Sequence, residues 1–166
     1  MPTQRSELVY PFAPRSTVSL TPGQFWAVRL RDGRFACGRV LQIAVEQDEY
    51  VPNTSRVFLA GLLDWSGDER PTGEAIAGAG LLDQGKAHVK TVTATGGAIL
   101  GHRPLEDDQL RPFTWVTHRG GGTVHLYEGL SRLRAASDDE RDSMPAMATW
   151  GHTFIQALAN RRLADH

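Results

Sequence analysis

Gln24-Phe25-Trp26-Ala27-Val28-Arg29-Leu30-Arg31-Asp32-Gly33-Arg34-Phe35-Ala36-Cys37-Gly38-Arg39-Val40-Leu41 sets two β-prone runs on either side of Asp32-Gly33. Asp-Gly between such runs predicts a hairpin closed by a two-residue type I′ turn, in which both central residues take positive φ. That turn sets Arg31 against Arg34, Leu30 against Phe35, Val28 against Cys37 and Trp26 against Arg39. Alternation then places Trp26, Val28, Leu30, Phe35 and Cys37 on one face as core. Arg29, Arg31 and Arg34 fall on the other face, with Phe25 and Val40 half-buried. Arg39 interrupts the apolar face opposite Trp26, where stacking on the indole contributes about 0.5–1 kcal/mol. Gly38 beside it marks a bulge or a close approach of backbone.

Upstream, residues 1–20 are polar and contain Pro2, Pro11 and Pro14. They read as a flexible arm, with Tyr10, Phe12, Val18 and Leu20 available to tie parts of it down. Order is expected from Thr21-Pro22-Gly23, so residues 21–166 form a single β-rich domain. Downstream, Val45–Ser55 is a polar connection, and Arg56–Trp65 is apolar enough for a central strand. Ser66–Gly85 reads as loop, with a short helical turn near Pro71–Ile76. His88–Thr93, Ala98–Gly101, Phe113–Thr117 and Thr123–Tyr127 read as further strands. Met147, Trp150, Phe154, Ile155, Leu158 and Leu163 suit one face of a helix at about 145–163, with Arg161 and Arg162 favourably placed in its last turn. The fold class is α+β: a mainly antiparallel curved sheet, or a small SH3-like barrel, with a C-terminal helix.

Composition narrows the function. A chain of 166 residues with 40% hydrophobic and 22% charged residues has the composition of a globular domain. Its 18 Lys and Arg against 19 Asp and Glu leave a formal net charge of -1, without the positive excess that phosphate neutralisation demands of a nucleic-acid binder. Cys37 is the single cysteine, so neither an internal disulfide nor a CxxC site can form. Met1–Glu7 lacks the apolar stretch of a secretory signal, and no apolar run approaches the roughly 20 residues of a membrane span. The expectation is a cytoplasmic protein that binds neither nucleic acid nor membrane.

Catalytic constellations are sparse. Of the six histidines, none forms an HExxH or HxH pair. Pro104 keeps His102 and Glu106 off a common helix face, whereas His118 and His125 flank Gly120-Gly121-Gly122 and converge if that segment is a hairpin. Cys37 reads as a buried small hydrophobe rather than an activated thiolate. Gly78-Ala79-Gly80 lacks the Lys-Ser/Thr of a P-loop. No catalytic residue, metal site or cofactor is expected. The acidic run Glu106-Asp107-Asp108, bracketed by Pro104 and Pro112, and the pair Asp64-Trp65 are the candidate partner-binding residues. Carboxylates steer association, and an accessible tryptophan is an anchor of hot-spot type.

The first block, Gly23 to Leu30 with Asp32-Gly33-Arg34-Phe35-Ala36 and Gly38-Arg39-Val40-Leu41, resembles the opening of the immunity protein 26 family. Ile99-Leu100-Gly101-His102-Arg103-Pro104-Leu105, the acidic run and Pro112-Phe113 are similar to that family's second block, and Phe58–Trp65 occupies the place of its central strand. The resemblance covers roughly residues 21–115. It implies an immunity protein of a bacterial polymorphic toxin system, whose partner is a cognate toxin that it binds and neutralises. Two alternatives stand beside it. One is a small phosphoester hydrolase using His102, His118, His125 and Asp64; the other is a stand-alone SH3-like binding module.

Overall fold

A computed structural model describes residues 8–164; the expectation for Met1–Glu7 of the arm lies outside them. Nine strands and three helices follow in the order β1 Gln24–Arg29, β2 Phe35–Ile43, β3 Val57–Gly67, β4 Leu81–His88, α1 Lys90–Thr95, β5 Ile99–His102, β6 Thr114–Val116, β7 His125–Glu128, β8 Ser131–Ala135, α2 Asp138–Ser143, β9 Thr149–Trp150 and α3 Phe154–Leu163. They build a six-stranded sheet in the order β5-β1-β2-β3-β4-β9 and a three-stranded sheet β6-β7-β8. The pairing is antiparallel throughout except for β9, which lies parallel to β4. The class is α+β and mostly sheet, as expected, but the sheets do not close into a barrel.

The hairpin of β1 and β2 is present in a different register. Arg29 faces Phe35, Val28 faces Ala36, Trp26 faces Gly38 and Phe25 faces Arg39. The cause is the turn. Leu30 pairs with Arg34 through a 2.9 Å bond, the Gly33 amide closes back on the Leu30 carbonyl at 3.1 Å, and Gly33 alone of the Asp-Gly pair takes positive φ, at +90°. This is a three-residue loop ending in a left-handed glycine, the other common solution for a hairpin. Asp32 fixes it by accepting the Arg34 backbone amide at 2.9 Å.

The shift by one residue changes which side chain meets which. Trp26 lies across Gly38, where a Cβ would overlap its six-membered ring; the close backbone approach predicted there is what the indole requires. Arg39 is therefore not stacked on Trp26. Cys37 and Phe25 point to the face opposite Trp26, Val28 and Leu30, and both faces of the sheet are covered. On the first face Trp26, Val28, Phe58 and Leu62 pack against Val92 of α1 and Ile155 and Leu158 of α3. Trp26 donates its indole N–H to Thr95 Oγ1 of α1 at 3.1 Å. On the second face Phe25, Cys37, Leu41 and Leu63 pack against Ile76, Leu105 and Trp115 from the loops and the small sheet. Because both faces are covered along Phe58–Leu63, that part of β3 reads as a nearly continuous apolar run.

Other expectations shift by local causes. His88–Thr93 ends β4 and enters α1, not a separate strand. Residues 81–85, read as loop, begin β4. The helix predicted over 145–163 is Phe154–Leu163, because Trp150 belongs to β9 and pairs with Ala87. Before β1, Tyr10 and Phe12 pack against the first cluster and Leu20 lies within it, while Val18 is exposed.

Candidate partner-binding surface

β3 leaves the sheet at Gly67 and returns as β4 at Leu81, and the intervening loop folds back over the second face. Thr72 Oγ1 accepts the Ala75 amide at 3.1 Å, the Ile76 amide bonds the Thr72 carbonyl at 3.2 Å, and the Ile76 side chain is fully buried. This is the short helical turn read from Pro71–Ile76. Two bonds tie the loop to the predicted partner-binding segments. The Asp64 amide donates to the Gly80 carbonyl and the Gly78 amide donates to Asp108 Oδ1, both at 2.8 Å. Asp64-Trp65 and the acidic run, 40 residues apart in the chain, thus border one loop.

The side chains on this border differ in environment. Asp64, Glu106 and Asp107 are exposed, and Trp65 is half-buried, packed on the second cluster. Asp68, Glu69 and Glu74 of the same loop are exposed too, with Arg70 the single cation in residues 64–80. Asp108 departs from the expectation of an exposed loop carboxylate. Its side chain is 1% exposed and accepts two bonds from Arg103, from Nε at 2.8 Å and Nη2 at 2.9 Å. Arg103, foremost by those bonds, holds the Asp108 carboxyl below the ordinary carboxylate range. Leu105 and Leu110, both buried, pin the 3-10 turn at 105–108 from either side, and Gln109 at φ +56° turns the chain inward. Asp107 and Asp108 therefore face opposite ways, one to solvent and one to the guanidinium groups.

Beneath the turn lies Arg39, 0% exposed, with Nη2 donating to the Arg103 carbonyl at 2.9 Å and 4.0 Å from Asp108. Burial depresses its pKa, countered by Cys37 and Asp108. The two stretches of sequence that carry the family resemblance meet at this cluster: Arg39 from the first, Arg103 and Asp108 from the second. Cys37, two residues along β2 on the same face, is wholly buried, and burial pushes its thiol well up. It is a packing residue.

The four residues of the hydrolase alternative do not assemble. His102 bonds the Pro22 carbonyl at 2.9 Å, and Asp64 borders the 68–80 loop. His118 and His125 are brought together by the Thr117–His125 pairing, both near the Tyr50 ring at centroid distances of 6.1 and 6.2 Å. Among the described residues no group of three or more His, Cys, Asp or Glu is placed to hold a metal ion.

Around Tyr50 lies a cluster that sequence reading missed. Tyr127 donates its hydroxyl to Asp48 Oδ2 at 2.6 Å and accepts from Arg132 Nε at 2.8 Å, and the Arg132 guanidinium lies over both the Tyr50 and Tyr127 rings. Burial and the Asp48 bond push the Tyr127 hydroxyl up to about 12. Burial opposes ionisation of Asp48, yet the Tyr127 hydroxyl, the Tyr50 and Val51 amides and Arg132 together hold its carboxyl below the usual range. The members come from three separated segments with no local motif, so no spacing in the sequence announces them. Arg132, Tyr127 and Asp48 join the small sheet to the β2–β3 connection.

Comparison with known families matches residues 21–123 to the model of the family described as Immunity protein 26. The match spans the hairpin, the central strand, the loop and the buried Arg39–Arg103–Asp108 cluster. The chain belongs to the immunity protein 26 family. No match was found among curated proteins or among solved structures.

Proposed function

We propose that the protein acts in the cytoplasm of a bacterium as the immunity partner of a toxin from a polymorphic toxin system. It protects the producing cell by binding and neutralising that toxin stoichiometrically, without turnover. Membership in the immunity protein 26 family carries this reading. The binding surface is the acidic border of the 68–80 loop. Glu106, Asp107 and Asp64 supply charge, Trp65 supplies a half-buried aromatic anchor, and Asp108 serves from within by holding the turn that presents its neighbours. A basic active site, such as that of a nuclease, complements such a border, with carboxylates standing where phosphates would bind.

The test is coexpression with the toxin encoded beside this gene, scored by growth and by binding kinetics of the purified pair. Protection together with a tight one-to-one complex is the expected result. Loss of neither protection nor association in a Glu106→Gln, Asp107→Asn variant moves the interface to another face. A wild-type chain that neither binds nor protects removes the immunity reading.

A further inference from the structure

β5 flanks β1 only over its first half. The pairing runs from Gln24 to Trp26, and Gly96 then lies so close to the Ala27 carbonyl that no Cβ fits there. Further along, at Arg29–Arg31, no strand among the described residues covers the outer edge. Two side chains of α3 stand in for one. Gln156 Nε2 donates to the Arg29 carbonyl at 2.8 Å, and Asn160 Oδ1 accepts the Arg31 amide at 2.9 Å. Leu30 between them bonds Arg34 across the hairpin, so the Arg29 carbonyl and the Arg31 amide both point outward, as they would to receive a neighbouring strand. A groove of about 660 Å³ runs between this segment and Thr153, Gln156, Ala157 and Asn160 of α3. Arg29 and Arg31 are exposed and, by alternation, share one face. The Arg29 guanidinium lies over the Phe35 ring at 5.4 Å. Neither arginine has a carboxylate partner among the described residues.

We propose that this groove receives an extended acidic segment of a partner protein, which adds to the β1 edge as a short strand. The main chain of that segment takes over the bonds of Gln156 and Asn160 one for one, so the exchange leaves neither the Arg29 carbonyl nor the Arg31 amide unpaired. On the face shared by Arg29 and Arg31 the incoming residues carry carboxylates and form cross-strand charge pairs. On the other face α3 stands close, so the residue between the two acids is small. The pattern recognised is acidic, small, acidic in extended conformation. The groove shares no residue with the acidic border of the 68–80 loop, so this binding does not depend on the toxin-binding reading.

The experiment titrates the isotope-labelled full chain with a capped Glu-Thr-Glu-Thr-Glu peptide and follows amide NMR signals. The expected result is a saturable shift confined to the backbone amides of 29–31 and the side-chain amides of Gln156 and Asn160, absent with a Gln-Thr-Gln-Thr-Gln peptide. Arg29→Gln with Arg31→Gln, both at exposed positions, weakens binding roughly fivefold. Gln156→Ala with Asn160→Ala removes the competing bonds and tightens it roughly tenfold; a merely structural role for these amides gives no such gain. Should that second variant fail to fold, the arginine variant and the neutral peptide still decide. No shift at millimolar peptide, shifts centred on another face, or equal binding of the neutral peptide overturns the proposal. So does self-association of the Gln156→Ala, Asn160→Ala chain without response to peptide, which assigns the edge to a second copy.

Discussion

Replacing Asp108 with Asn keeps the shape of the side chain and removes the charge that faces Arg103 and Arg39. Breaking a buried pair from one side costs about 3–5 kcal/mol, because the remaining cation is left without compensation. Asp108→Asn should therefore lower stability by roughly 3 kcal/mol in chemical denaturation. Glu106→Gln and Asp107→Asn, on exposed positions one and two residues away, should stay within about 0.5 kcal/mol of wild type. The pH dependence has a definite sign. The folded-state pKa of Asp108 is depressed, so its contribution is complete above the ordinary aspartate value of about 4 and is lost as pH falls through the folded value. The stability gap between wild type and Asp108→Asn should accordingly close as the pH is lowered below the ordinary aspartate range; a gap that stays constant throughout acid titration contradicts the buried-pair account. The sequence shows three acidic residues in a row between two prolines. What separates the third from the others is the 3-10 turn that swings it back onto Arg103, five residues upstream, and the arrival of Arg39 from β2, which the acidic run itself does not announce.

At the scale of elements, Leu30 and Gly38 test the hairpin. Leu30 is 2% exposed beside the turn, and Leu30→Ala should cost about 2–5 kcal/mol in urea unfolding. Gly38→Ala forces a methyl into the Trp26 ring, and overpacking of this kind costs about 1–3 kcal/mol. Gly73→Ala, where an added Cβ meets nothing within 4 Å, should be neutral or slightly stabilising by contrast. The existence of the hairpin was legible in Asp32-Gly33, and so were the central strand and the burial of Trp26 and Trp150. The register was not, because Asp-Gly serves equally as a two-residue I′ turn and as the end of a three-residue loop with a left-handed glycine. The short α1 was hidden by its own composition. Thr91, Val92 and Thr93 have strand propensity, and packing of Val92 in the first cluster together with the Trp26–Thr95 bond overrides it. At the C-terminus the apolar spacing from Met147 to Leu163 merged two elements, since a two-residue strand and a helix that pack on the same core present one continuous pattern.

For the whole molecule, a formal charge of -1 hides an uneven distribution. Residues 64–80 carry four acidic side chains against Arg70, and the adjoining Glu106 and Asp107 extend the same border. Long-range attraction to a basic partner acts on the rate of encounter and weakens as salt is raised. The Glu106→Gln, Asp107→Asn chain should associate with the cognate toxin roughly tenfold more slowly at low salt, with a shallower salt dependence and little change in dissociation. Stopped-flow binding at several salt concentrations measures both.

The parallel pairing of β9 with β4 bears on how the chain is made. Lys86 and Ala87 find their partners in Thr149 and Trp150, and Trp150 covers Gly85, where a Cβ would overlap its indole. At synthesis rates of about 5–20 residues per second, the edge of β4 waits roughly 3–12 s for the strand that closes it. During that time a nascent chain shows an unpaired strand edge, and the first face lacks Ile155 and Leu158 of α3. Such edges template pairing between chains. A ribosome stalled or terminated before residue 149 therefore releases an adhesive fragment in place of a weaker version of the protein, and a chain stopped after Pro145 should be recovered in the insoluble fraction at a temperature where the full-length chain stays in solution.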